Sequence, residues 1–582
     1  MRPLPMLRRY FRSIAAGLAP SKAPHRLLMH GSSTSGRSTC GSSTSGQLDS
    51  RPFMGYLLTG FLWAGCLLMG NLLTGCGEKS PSAGTTATST ATNTVSPSVS
   101  SSDSPTKPTS ADSSSAPSPT AGVASATPAS PPSVDPVLAA ELAAVPDLGT
   151  RKRGDDWPWF LGPTRNNKST ETGLATPWPK EGPRIVWQRP LGEGYGIGSV
   201  SLGRFLQFDR EKDEAVLLCL NAETGEELWR FAYPTDYSDL YGYNGGPRAS
   251  PVVDGDRVYI FGAEGWLHCL SLVDGKVRWK VNTSRDFSVV QNFFGVGSTP
   301  VIEGDLLLAM VGGSPPEDQQ IPPGQLDRVS GAGSGIVAFD KRTGEVRYKI
   351  TDELASYASL QLATVGGRRW AFAFCRGGLI GFEPSTGKVD FDYPWRARTL
   401  ESVNASTPVV IGDEVFISET YSIGSSLLKV ATGRHEVVWS DSALSRDKSF
   451  KAHWNTPIFV GGYLYGCSGR NPPDADLRCI EWKSGKVQWT VPTKIRSSLL
   501  YVDGHFISMG EFGSLELIKV NPEKYELVSE VTYKRPGAEP LPPGLEDSNL
   551  LRAPCWAAPI LSHGLLYVRG EDRLVCLEVI SD

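Results

Sequence analysis

The chain has 582 residues, with 57 lysines and arginines against 61 aspartates and glutamates and a formal net charge of −4. No basic stripe runs along it, so the charge balance gives no reason to expect a nucleic-acid partner. The 62 glycines and 15 tryptophans among many short apolar runs point to an all-β protein rich in turns, and the ten cysteines make neither a disulfide framework nor a Cys-x-x-Cys metal site.

Residues 1–52 form a basic, low-complexity leader in which GSSTSG occurs at 31–36 and again at 41–46. Sequence of this kind cannot bury a core, and Met29 or Met54 offers an alternative start. Residues 53–76 read as a lipoprotein signal segment. Arg37 and Arg51 precede an apolar run over 56–73 that ends in Leu73-Thr74-Gly75-Cys76. Basic, then apolar, then small is the order of a secretory leader, and a cysteine after Leu-x-Gly is where lipid is attached. The competing reading is a single-pass anchor, for which the run is long enough, although no basic stop-transfer cluster follows Cys76. Residues 77–149 are a disordered linker, almost entirely Ser, Thr, Pro and Ala over 80–136. The expected location is therefore the bacterial envelope, with lipid on Cys76 and the folded part in the periplasm.

Residues 150–582 carry an internal repeat, which outranks other signals of fold. Each unit has an apolar inner strand, a Gly-Asp type turn, a second strand, and a third strand often of the form x-Cys-Leu. A Thr-Gly or Asp-Gly turn then leads to an aromatic on a fourth strand. Leu217-Leu-Cys219-Leu-Asn-Ala-Glu-Thr-Gly225 leads to Trp229, and the turns at Gly275, Gly344, Gly387, Gly433 and Gly485 lead to Trp279, Tyr348, Phe391, Trp439 and Trp489. A degraded copy ends at Tyr525. Asn, Asp and Thr can bond the turn backbone, glycine accepts its positive φ, and the aromatic can pack on the next unit. Inner strands start near Ser199, Ser250, Thr299, Ser359, Thr407, Thr456, Ser498 and Ala558. Eight such units of four antiparallel strands describe an eight-bladed β-propeller. The last unit lacks its fourth strand, and the segment around Trp187 is expected to supply it and close the ring. The cysteines at 219, 269, 479 and 576 share one strand slot and read as core filling; Cys467 and Cys479 are the one pair worth testing for a bridge.

Asn221-Ala-Glu-Thr-Gly-Glu-Glu-Leu-Trp229 and Phe339-Asp-Lys-Arg-Thr-Gly-Glu-Val-Arg-Tyr348 resemble the docking motif of quinoprotein-type propellers. The opening Trp157-Pro-Trp-Phe-Leu-Gly-Pro and the closing Trp556-Ala-Ala-Pro-Ile are similar to those of pyrroloquinoline-quinone (PQQ)-like repeat proteins. The resemblance covers about residues 155–580 and implies two functional branches. One is the PQQ-dependent oxidoreductases acting on alcohols, polyvinyl alcohol or sugars. It implies PQQ with calcium over the channel, two adjacent cysteines against the quinone, a Trp floor, and in some members a haem motif. This chain has no Cys-Cys pair and no Cys-x-x-Cys-His. The other is the non-enzymatic lipoprotein subunit of the outer-membrane barrel-assembly machinery (BamB-like), which implies a lipid-anchored scaffold without a cofactor.

In a propeller the short glycine turns share one face, and the long connections share the other. The long connections carry Tyr241 and Arg248, Asn292, Trp454 and Trp556, together with insertions at 313–335 and 534–555. Long loops on a rigid ring are where function usually resides. These five residues are therefore the candidate binding face for an envelope protein or polymer. No catalytic or metal constellation can be named from the sequence.

Overall fold

The computed structural model describes residues 145–582 apart from 443, 472–473, 493, 495 and 538–547. The leader, the signal segment with Cys76 and the linker as far as residue 144 lie outside the described residues. Among the described residues no helix is long and apolar enough to cross a membrane.

Eight four-stranded antiparallel sheets make an eight-bladed β-propeller. Seven take consecutive strands. The first blade is Ser199–Ser201, Arg204–Glu211, Glu214–Asn221 and Glu227–Pro234, and the second runs from Val252–Asp254 to Val277–Asn282. In the eighth, Ile560–Ser562, Leu565–Arg569 and Arg573–Glu578 are joined by the N-terminal strand Arg184–Pro190, which pairs antiparallel with Arg573–Glu578. Inner and middle strands are buried along their length, as in Arg204–Glu211 and Glu214–Asn221, whereas the outermost strand Glu227–Pro234 is mostly exposed.

The repeated aromatic is placed by local geometry. A register shift beside the pair Cys219↔Trp229 inserts one extra residue and turns the indole toward the next blade. There Trp229 Nε1 donates to Leu272 O at 3.1 Å, and a Cβ on Gly275 would lie 2.5 Å from the indole. Gly275 has φ +69°, so glycine is required there both for the backbone and for the ring it carries. Trp187, Trp279, Trp439 and Trp489 make the same indole-to-carbonyl bond to Ala222, Lys341, Trp482 and Asn521, and the Tyr348 hydroxyl bonds Pro384 O. Phe391, without a donor, meets His435 of the next blade at a centroid distance of 5.0 Å. The small residue opposite the aromatic is Cys219, Cys269, Cys479 or Cys576 in four blades.

The seventh blade departs from the sequence expectation. Tyr525 precedes the outer strand Leu527–Val531, and the aromatic slot opposite Leu517 holds Ser529. Tyr525 instead bonds Glu516 of its own blade at 3.2 Å. The turn before it, Asn521-Pro522, lacks the glycine of the other units. Trp178 of the lead-in takes part instead: its N–H donates to Ser529 Oγ at 3.0 Å, and its ring joins the apolar cluster that contains Leu517 and Val531. Cys467 and Cys479 pair with Leu477 and Tyr465 rather than with each other, and the described cysteines are all free and buried.

Candidate binding face

The lead-in determines what kind of face the other end can be. Trp157 exchanges backbone bonds of 2.9 Å with Val200, and Trp159 Nε1 donates to Val253 O at 2.8 Å. Arg165 reaches Ile302 O at 3.5 Å, Lys168 Nζ reaches Phe459 O at 3.2 Å, and Ser169 N bonds Tyr501 O at 2.8 Å. These carbonyls belong to the inner strands of blades one, two, three, six and seven. Blades two and six are opposite in an eightfold ring, as are three and seven, so residues 157–169 cross the axis on the short-turn face. The long-loop mouth is therefore a cup with a floor.

At that mouth the connections into the inner strands bring together residues from six blades. Arg248, Tyr357, Trp454, Arg496 and Trp556 each stand two residues before the inner-strand starts at Ser250, Ser359, Thr456, Ser498 and Ala558, and in the first blade Tyr195 stands four residues before Ser199. Trp454 and Trp556 lie 5.1 Å apart between ring centroids, and Trp556 lies 4.7 Å from Tyr195. Arg496 covers Trp454 at 4.6 Å, and Arg248 covers Tyr195 at 5.4 Å and Phe294 at 5.8 Å. Phe294 continues to Tyr357 at 5.4 Å. Most of the mouth is thus an arc of rings and guanidinium planes in contact.

The five residues expected at the face have different roles. Tyr241 is 48% exposed and packs on Phe293 and Phe294 at 5.7 Å each. Arg248 forms a 2.6 Å ion pair with Asp239, whose carboxylate also accepts from Tyr241 N at 2.8 Å and so shapes the loop that presents Tyr241. Burial pushes the Asp239 carboxyl up, and Arg248 opposes that shift. Asn292 is a brace: Nδ2 donates to Ala355 O at 3.1 Å and Oδ1 accepts from Phe293 N at 2.8 Å. Trp454 and Trp556 are half-buried, and Trp556 Nε1 donates to Glu511 at 2.7 Å. Glu511 is paired with Arg496, a contact between residues that were not singled out in the sequence. Tyr195 was missed too, as was Arg496, although Arg496 shares the register of Trp454 and Trp556.

The titratable groups around the mouth are tuned by burial. His453 is lowered to about 3 by burial and by Arg496 and Arg470, and so stays neutral. Glu419 is raised by burial to about 7, opposed by the Ser402 hydroxyl that bonds it at 2.8 Å. A quinone held with calcium needs an available carboxylate beside the channel and a pair of adjacent cysteines. Here Asp239 and Glu511 are each tied to an arginine, and the described cysteines are separate and buried. Among the described residues no group of three or more His, Cys, Asp or Glu could hold a metal ion.

Residues 212–491 match the family described as outer membrane protein assembly factor BamB. No curated protein matches the chain. Among solved structures, BamB from Moraxella catarrhalis is 11% identical, covering 68% of this chain and 97% of its own at a TM-score of 0.44. The quinohemoprotein alcohol dehydrogenase from Comamonas testosteroni is 11% identical, covering 77% of this chain and 84% of its own at 0.49. A europium-containing methanol dehydrogenase is 13% identical, covering 73% and 91% at 0.40. Likeness at these levels concerns the fold alone and carries nothing about activity. The eight four-stranded sheets make the chain a β-propeller, and the stretch 212–491 within it is similar to the BamB family.

Proposed function

We propose that this chain is a non-catalytic binding propeller of the bacterial envelope, tethered through lipid on Cys76, whose long-loop face receives an envelope protein or polymer. The observation that carries the reading is the arc from Trp454 through Trp556, Tyr195 and Arg248 to Tyr357, half-buried rings interleaved with arginines whose charges are internally paired. Such a surface suits recognition by large aromatic contacts. Two further features agree with it. The axis is spanned by residues 157–169 on the other face, which makes the mouth a receptacle. The described chain begins at the short-turn face, where Leu148 N bonds Leu202 O at 3.1 Å, so the linker departs from the side opposite the arc. The matched family is named for an assembly factor, which is work done by binding.

The test is co-purification from membranes with wild type and with Tyr241→Ala/Trp454→Ala, circular dichroism showing that the fold is kept. Loss of a reproducible partner supports the face, and unchanged capture refutes it. The second reading, a PQQ-dependent oxidoreductase, is tested on the same protein with quinone, calcium and an artificial electron acceptor. Turnover of an alcohol, polyvinyl alcohol or a sugar would replace the scaffold reading.

A further inference from the structure

His563 and Gly564 form the two-residue turn between Ile560–Ser562 and Leu565–Arg569, with φ of 51° and 75°. The imidazole, 28% exposed, points into the lead-in. Its Nδ1 lies 3.0 Å from Arg153 O and its Nε2 3.1 Å from Asp156 Oδ1. The other oxygen of Asp156 accepts from Leu202 N at 2.9 Å and Ser201 Oγ at 3.1 Å, in the first blade. Asp156 thereby stitches together the lead-in, the first blade and the last blade.

A carbonyl oxygen and a carboxylate oxygen can only accept, and a neutral imidazole has a single N–H. Both contacts are satisfied together only by the imidazolium. We propose that His563 is a proton-operated clasp that fastens the lead-in, and with it the linker, to the last blade. When His563 loses its proton, one of its two nitrogens turns a lone pair toward an acceptor, and that contact becomes repulsive.

The charged groups around the ring favour the clasped form. On the lead-in, Asp155 and Glu171 line the same hollow, and Glu171 accepts from Gly564 N at 2.7 Å. Arg153 contributes its carbonyl. Arg151 donates to His563 O and Ile580 O at 3.2 Å each and pairs with Glu578, and Asp582 closes the rim. The bond to Asp156 raises the imidazole above its ordinary value, burial opposes it, and Glu171 adds to the rise. A folded-state value above the free one means that the clasp is complete below the free-histidine range and is lost as pH rises through the raised value. Arg151 and the Leu148–Leu202 bond hold the lead-in independently of His563, so the release is local to residues 148–157 and the ring stays folded.

The experiment combines histidine NMR titration with hydrogen exchange of the 148–157 amides between about pH 5 and pH 9, corrected for intrinsic exchange. His563 should titrate above the ordinary histidine value. The opening of residues 148–157 should increase across the same interval, by about tenfold for each pH unit separating the clasped from the free histidine. His563→Asn keeps a residue that tolerates the left-handed turn and should remove the pH dependence; Asp156→Asn should bring the histidine titration back down. A His563 that titrates at or below the ordinary value overturns the proposal. So does the same pH-dependent opening in His563→Asn, and should that variant not fold, the wild-type and Asp156→Asn titrations decide alone.

Discussion

Replacing Arg569 with methionine should destabilise the propeller by about 4 kcal/mol, within the range for removing one partner of a buried pair. Arg569 ends the second strand of the last blade and Asp209 lies in the second strand of the first, and their side chains are 2% and 0% exposed. The guanidinium reaches Asp209 at 2.7 Å and Gly196 O at 2.9 Å. Methionine matches most of the volume, so the loss is electrostatic rather than a cavity. It leaves a buried carboxylate whose one remaining donor among the described residues is Gln207 Nε2 at 3.1 Å. Burial already pushes the Asp209 carboxyl up and Arg569 holds it down, so the variant should raise it further. A group raised in the folded state contributes stability at low pH that is lost as pH rises through its folded value; Arg569→Met should therefore be less impaired at acidic than at neutral pH. Equilibrium urea unfolding at both pH values measures this. Arg569→Met/Asp209→Leu removes the stranded charge and should recover about half of the loss or more. A single variant within about 1 kcal/mol of wild type, or a double variant as impaired as the single, would refute the reasoning.

Gly275→Ala should cost about 1–3 kcal/mol, because φ of +69° strains alanine and its Cβ would press the Trp229 indole at 2.5 Å; thermal unfolding reads it, and Trp229→Phe in the same chain should relieve part of the loss. Glu419 is raised from the ordinary 4.5 to about 7 by burial, so stability should fall as pH rises between those values, and Glu419→Gln should flatten that slope in urea unfolding. Trp556→Ala should weaken partner capture on the long-loop face more than Asn292→Ala, whose amide is turned inward onto Ala355 O; pull-down yield normalised to folded protein compares them. Cys76→Ser should abolish incorporation of a labelled fatty acid and release the protein from membranes in fractionation.

The blade count was readable because its cues are themselves inter-blade contacts. The Thr-Gly glycine of one unit lies under the aromatic of the unit before it, as Gly275 lies under Trp229, so the period in the sequence is the period of the packing. Tyr525 misled for the same reason: its distance from the Asn521-Pro522 turn imitates the motif, but the register of the strand pair puts Ser529, not Tyr525, opposite Leu517. The candidate face was readable as a set of loops, since topology fixes which connections share a side, and Tyr241, Arg248, Trp454 and Trp556 do gather there. The pairing of Arg496 with Glu511, and the use of Asn292 as a brace, depend on distances between loops that no local pattern encodes.

The placement of the lead-in explains how such a body can be tethered without damage to its weakest joint. The chain enters the last blade as the outer strand Arg184–Pro190, which is held by pairing to Arg573–Glu578. A pull from the linker applied directly to that strand would load an edge ladder one bond at a time. Between the linker and that strand, however, the chain first meets Arg204 through Pro146 O and Leu202 through Leu148 N, then Glu223 through Thr150 and Arg151, then His563 through Arg153 and Asp156, then the inner strands of five blades through residues 157–169, and then Ser529 through Trp178 N. Force would be divided among these anchors, all on the short-turn side or the rim, before it reached the pairing. The aromatic arc stands at the opposite mouth, outside that path. A partner bound there would stay bound to a rigid surface while the lead-in absorbs the strain, and His563, among the first of these anchors, is where a change of protonation would be felt.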